Sequence, residues 1–96
     1  MNHLRTIDTT YKFALRFIKK YANTVLFEKF NTATIINYGE NTIVNFEGAP
    51  LVFGQQFTIG GNFSEVNFQQ YNISFEVVDN TKPYNFYALI ILKNYV

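Results

Sequence analysis

Between residues 31 and 59, NTATIINYGENTIVNFEGAPLVFGQQFTI, short runs rich in β-branched and aromatic residues are cut repeatedly by turn-forming sequence. Runs this short between Gly, Pro and Asn clusters suit strands and are too brief for helices. Tyr38-Gly39-Glu40-Asn41 separates 33–37 from 42–46, so a hairpin is expected there with Gly39 at positive φ. Glu47-Gly48-Ala49-Pro50 is the next turn, followed by a strand over 51–53 closed by Gly54. A further strand over 56–59 is closed by Gly60-Gly61-Asn62.

The pattern continues downstream. After a weak strand near 65–68, the segment 71–77 alternates cleanly, with Tyr71, Ile73, Phe75 and Val77 on one face and Asn72, Ser74 and Glu76 on the other. Residues 79–83 turn the chain, and 84–96 form a last strand that is apolar on both faces from Phe86 to Leu92. Such a strand is central in its sheet or covered by another chain. Six to seven short strands at this spacing predict a mainly β fold, a small antiparallel β-sandwich of jelly-roll or Ig-like form. Asn37, Asn45, Asn67 and Asn72 on otherwise apolar elements point to a large hydrated face.

Before this region lies a different pattern. Tyr11, Ala14, Leu15, Ile18 and Tyr21 fall on one face of a helix, while Lys12, Arg16, Lys19 and Lys20 share the other, so an amphipathic helix is expected over about 9–22. Residues 24–30 suit either a continued helix or a first strand. The charge divides at the same place: residues 1–30 carry six cations against two carboxylates, and 31–96 carry two cations against five. Two parts are therefore expected, a basic N-terminal arm over 1–30 and a β-sandwich over 31–96. A chain of 96 residues buries only roughly 60–68% of its unfolded surface, so its core is thin and a partner helps it. Eleven Phe and seven Tyr enlarge the area each buried residue contributes.

Several classes of chemistry have little to stand on. With no Cys there is neither a disulfide nor a thiolate metal site, and the single histidine, His3, has no second imidazole beside it. No nucleophile-elbow, P-loop or zincin pattern occurs. The carboxylates Glu47, Glu65, Glu76 and Asp79 fall at turns or on polar strand faces, where solvation is the default. The expectation is a protein that is not an enzyme, with no catalytic residue, cofactor or metal. The first twenty residues lack the unbroken apolar core of a secretory signal, and the longest apolar run, 87–92, is far short of the ~20 residues of a spanning helix.

The basic element has three possible uses: docking on a protein partner, binding phosphates, or lying on an anionic membrane. Packing or partner docking accounts best for its aromatic residues. The docking set is then Lys12, Phe13, Arg16, Phe17, Lys19 and Lys20, with Tyr87, Leu89 and Ile91 from the two-sided last strand. On this expectation, deleting 1–22 leaves a folded domain that no longer joins its partner. A carbohydrate-binding, lectin-like sandwich is the alternative. Exposed aromatics beside Asn or Gln in one loop cluster favour it, whereas a flat, dry apolar face favours assembly.

The run IINYGENTIVNFEGAPLVFGQQFTIGGN, with YNISFEV and the terminal FYALIILKNYV, resembles small virion structural proteins of tailed phages that infect Bacteroidetes, crAss-like phages included. Their pattern N-x-G-x-N-T-x-x-x-x-x-G-x-P-L is matched by Asn37, Gly39, Asn41, Thr42, Gly48, Pro50 and Leu51. The pattern G-x-x-F-x-I-G-G-N is matched by Gly54, Phe57, Ile59, Gly60, Gly61 and Asn62, and the closing strand by Lys93 and Tyr95. The resemblance covers 31–96 and implies a structural subunit of a virion, assembled in the host cytoplasm: a decoration, head-fibre or other accessory protein of capsid or tail. It implies other virion proteins and further copies of the chain as partners.

Overall fold

The computed structural model describes residues 13–60 and 66–95. Among them there are eight strands and no helix: β1 (Phe13–Lys20), β2 (Thr24–Leu26), β3 (Thr32–Asn37), β4 (Thr42–Phe46), β5 (Ala49–Leu51), β6 (Gln56–Gly60), β7 (Tyr71–Val77) and β8 (Ala88–Tyr95). They form two four-stranded antiparallel sheets, ordered β1-β8-β3-β6 and β2-β7-β4-β5. The pairings are nested. β4 pairs with β5, β3 with β6, β2 with β7 and β1 with β8, each antiparallel. The chain is thus one long hairpin folded so that successive pairs fall alternately in the two sheets. Its tip is the Glu47-Gly48 turn, where both residues hold positive φ (52° and 84°), the pattern whose twist suits a two-residue hairpin.

Period-2 alternation sends one side of six strands into a common core, and Ile18 of β1 and Ile59 of β6 pack against it. From the first sheet come Ala33 and Ile35 of β3 and Ala88, Ile90 and Leu92 of β8; from the second come Leu26, Val44, Phe46, Leu51, Ile73 and Phe75. Phe30 completes it, in a bridge to Asn67 that continues the β2–β7 register beyond the strands. The alternation of 71–77 is realised residue for residue in β7, and the doubly apolar last strand is central, between β1 and β3.

Four sequence expectations are corrected. The helix over 9–22 is absent wherever residues are described: 13–20 form strand β1, and 9–12 lie outside the described residues. The segment FALRFIKK also reads with period 2, and eight residue pairings along β8 outweigh its helical spacing. The strands number eight, because β1 and β2 join those expected from the β region. The boundary drawn at residue 30 does not fall at a break in the sheets, since β1 and β2 are each paired within one. Finally, β3 and β4 are not a hairpin. They lie in different sheets, and the connection 38–41 crosses between them.

At that crossing the positive φ belongs to Asn41 (57°), not to Gly39. Gly39 is required for another reason: a Cβ there would sit 2.4 Å from the Asn85 carbonyl oxygen and 2.2 Å from Thr42 Oγ1. Beside it Asn37 is fully buried, and its side chain replaces the hairpin hydrogen bonds. Nδ2 donates to the carbonyls of Thr42 (3.0 Å) and Leu51 (2.8 Å), and Oδ1 accepts from the Gly39 amide (2.7 Å). Its backbone bonds Gln55 and Gly54 in the β5–β6 connection.

An Asn37→Leu substitution keeps the volume and removes all three side-chain bonds, so urea unfolding should show a loss of ~2–4 kcal/mol. Gly39→Ala should cost at least ~2 kcal/mol through the backbone collision. Gly48→Ala, which meets open space but needs φ near +84°, should cost only about 1 kcal/mol.

Candidate functional site

The two sheets differ in what they turn outward. In the first sheet the residues facing away from the core line up across strands by register. Phe13 lies opposite Tyr95; Leu15 opposite Lys93, which is opposite Thr32; Phe17 opposite Ile91, opposite Thr34, opposite Thr58; and Lys19 opposite Leu89, opposite Ile36, opposite Gln56. Tyr21, Tyr87 and Tyr38 continue the face beyond the last row: Tyr21 stacks on Tyr87 at 5.5 Å, and Tyr38 lies 5.7 Å from Tyr87 on its other side. The result is a face whose apolar side chains run along β1 and β8 to Ile36 of β3, with threonines towards β6 and aromatic rings at both ends. Phe17 is 59% exposed and Tyr21 61%.

Two lysines supply the only charge among the described residues of that face. Lys93 Nζ lies 4.5 Å from the Phe13 ring centre and 5.1 Å from that of Tyr95, and Lys19 Nζ lies 5.9 Å from Tyr87. A cation held over ring faces keeps its charge available while its stem covers apolar surface. The outward face of the second sheet is mixed, with Val25, Ile43 and Pro50 among asparagine, serine and glutamate. Asn72, Ser74 and Glu76 of β7 stand beside Asn45 of β4, whose Nδ2 donates to Glu76 Oε1. Glu47 Oε2 accepts from the Asn72 amide at 2.5 Å.

Most of the docking residues read from the sequence meet on the apolar face. Phe13, Phe17 and Lys19 of β1 and Leu89 and Ile91 of β8 are neighbours across one strand pair, with Tyr87 just before β8. Arg16 and Lys20 do not join them, because they share the opposite side of β1 with residues facing Leu92 and Ala88; Arg16 Nη1 pairs with Glu28 Oε1 at 2.5 Å. Lys12 lies outside the described residues. The sequence reading missed Leu15, Ile36, Tyr38 and Tyr95 as parts of the face. Alternate positions on β1 and β8 carry the signal for Leu15 and Tyr95, whereas Ile36 and Tyr38 needed knowledge that β3 lies beside β8.

The loop end near Tyr21, Tyr38 and Tyr87 also carries asparagines, and their amides are engaged within the fold. Asn41 Nδ2 donates to the Asp79 carbonyl (2.6 Å), its Oδ1 accepts from the Asp79 amide (3.0 Å), and Asn85 Oδ1 accepts from the Glu40 amide (2.9 Å). Asn23 Oδ1 likewise accepts from the Phe75 amide. These asparagines join loops. Asn45 and Asn72 alone, of the four read as a hydrated face, stand on the outward side of a sheet; Asn67 Oδ1 accepts from the Tyr71 hydroxyl.

The described carboxylates considered for catalysis sit on separate elements, Glu47 at the hairpin tip, Glu76 on β7 and Asp79 after it, while Glu65 and the histidine His3 lie outside the described residues. Among the described residues no three His, Cys, Asp or Glu gather to hold a metal ion, and no helix is long and apolar enough to cross a membrane. Comparison with family models, curated proteins and solved structures gives no match to this chain.

The carboxyl of Asp79 is displaced from its ordinary range. The Thr81 hydroxyl (2.6 Å) and then the Thr81 amide (3.0 Å) donate to Oδ1 and stabilise the ionised form, lowering its pKa. A depressed folded-state pKa contributes stability above the unfolded value, and the contribution is lost as pH falls through the folded value. NMR titration should place Asp79 below the usual aspartate range, and Thr81→Ala should bring it back up.

Proposed function

We propose that this protein is a non-enzymatic structural subunit that works by assembly, burying the outward face of its first sheet against neighbouring subunits of a phage virion. The observation that carries the reading is that face, in which Phe13, Leu15, Phe17, Tyr21, Ile36, Leu89 and Ile91 form one surface across three strands. Contiguous apolar patches of this kind mark interaction sites. The strand orders β1-β8-β3-β6 and β2-β7-β4-β5 favour the jelly-roll form over the Ig-like one. Jelly rolls serve both capsids and lectins, so the fold alone does not choose between them. The apolar rows of the outward face support the assembly reading, and the bonds that Asn41 and Asn85 make to backbone across the tyrosine-bearing loops leave fewer side-chain amide groups there for a sugar. The place in the particle, as decoration, head-fibre or tail accessory protein, rests on the resemblance of residues 31–96 to virion proteins.

Leu15→Thr with Phe17→Thr tests this. Threonine keeps strand propensity at two exposed edge positions, so stability should fall by no more than ~1 kcal/mol. Removing the two side chains should weaken association by ~2–4 kcal/mol, converting a sedimenting assembly into monomer. Mass spectrometry of what co-sediments should find capsid or tail subunits or further copies of the chain. A native protein that stays monomeric and joins no particle overturns the reading, and retention on immobilised glycans would put the lectin-like alternative in its place.

A further inference from the structure

The four sheet edges are not alike. β2 and β5 are three residues long and β5 contains Pro50, while β6 has five residues and ends at Gly60 with φ of 85°. Short length, proline and a closing glycine are the means by which proteins keep strand edges from pairing. β1 has none of them. It runs eight residues without Gly or Pro, is paired through its whole length with β8, and has no strand on its other side among the described residues.

Its charges say what can pair there. Arg16, Lys19 and Lys20 stand on this strand with no carboxylate among its residues. A second copy of β1 laid antiparallel would gather all these cations, doubled, into a two-stranded ribbon with nothing on either strand to neutralise them. Lysine at an edge thus repels self-pairing, and the same lysines attract a strand of opposite sign. The side chains also alternate. Phe13, Leu15 and Phe17 lie on the outward side, and Ala14, Arg16, Ile18 and Lys20 on the other.

Resting on the assembly reading above, we infer that the β1 edge takes an added antiparallel strand from a partner protein, an extended segment that alternates apolar residues with carboxylates. Its backbone would extend the first sheet beyond β1. Its apolar residues would lie beside Phe13, Leu15 and Phe17 and lengthen the apolar face, while its carboxylates would stand opposite Arg16 and Lys20. Glu28 already fills this role for Arg16 from within the chain. The partner segment therefore gains most at Lys20, which has no ion pair among the described contacts.

The test uses the full chain and a fluorescein-labelled peptide of alternating Val and Glu, roughly as long as β1, with a Val–Lys peptide of equal length as control. The Val–Glu peptide should bind at least ~10-fold tighter by anisotropy, lose affinity as salt is raised, and slow hydrogen exchange at alternate amides of β1. Lys20→Glu should weaken it roughly fivefold and improve the Val–Lys peptide, with an unchanged urea midpoint showing that the fold is intact. Equal binding of both peptides, no binding, or binding without protection in β1 overturns the inference. None of these results touches face-mediated assembly, which the Leu15→Thr/Phe17→Thr sedimentation experiment reads separately.

Discussion

A single buried carboxamide ties the end of β3 to β4, β5 and the connections beside them. Asn37 ends β3 with every polar atom engaged: its backbone holds the β5–β6 connection, its Nδ2 reaches two carbonyls of the second sheet, and its Oδ1 fixes the Gly39 amide. β3 lies between β8 and β6, so anchoring its end sets the register of both pairings. In a sheet with period 2, a slip of one residue exchanges the two faces of a strand. It would put Ile35 outside and Thr34 in the core. The amide therefore protects the core and the outward face together, and a half-satisfied group at this depth would cost more than an apolar one.

The nested hairpin explains why this anchor matters so much. Only the β4–β5 tip is local; β1 and β8 meet from opposite ends of the described chain, and each outer pair depends on those inside it. Closing long loops costs entropy before the contacts repay it, which makes such a topology slow to form. In the folded protein, asparagine amides at the loop end tie connections directly to one another, Asn41 to Asp79 and Asn85 to Glu40. The abundant asparagine of the sequence thus reports mostly on loops that must meet, and less on a wet sheet face.

How much could be read from the residues varied by element, for physical reasons. β7 was legible because its alternation is clean and one face is buried; β8 was legible as a two-sided strand because both its sides are apolar. β1 was not. Its apolar residues satisfy helical and strand spacings alike, and the deciding interaction, eight pairings with a strand more than sixty residues away, leaves no mark on local sequence. The crossing at 38–41 carries the residues of a hairpin turn, and what sets it apart, strands in different sheets and a buried Gly39 and Asn37 beside it, is not written in local sequence. The residues read from the sequence for docking came as two separate groups, and the structure says only which of them share a face. That Phe17 stands opposite Ile91 required the β1–β8 pair, and that pair also parted Phe13, Phe17 and Lys19 from Arg16 and Lys20.

This parting gives the molecule its polarity. Had residues 13–20 been a helix, Phe13 and Phe17 would have stood three residues from Arg16 and Lys20 on one flank, with Leu15 and Ile18 facing the other way. As a strand, the same residues lay Phe13, Leu15 and Phe17 flat beside Leu89 and Ile91, and send Arg16 and Lys20 to the side where Glu28 waits. The acidic residues Glu47 and Glu76 stand on the other sheet, away from this face. The central rows of the face set Leu15, Phe17 and Ile91 beside Lys93 and three threonines, and Thr34 and Thr58 satisfy part of their hydrogen bonding within the sheet by bonding each other at 3.0 Å. Fold stability asks little of Phe17 or Tyr21, which are more than half exposed. The core is closed without them, so the physical gain from large apolar groups at these positions comes when another surface covers them.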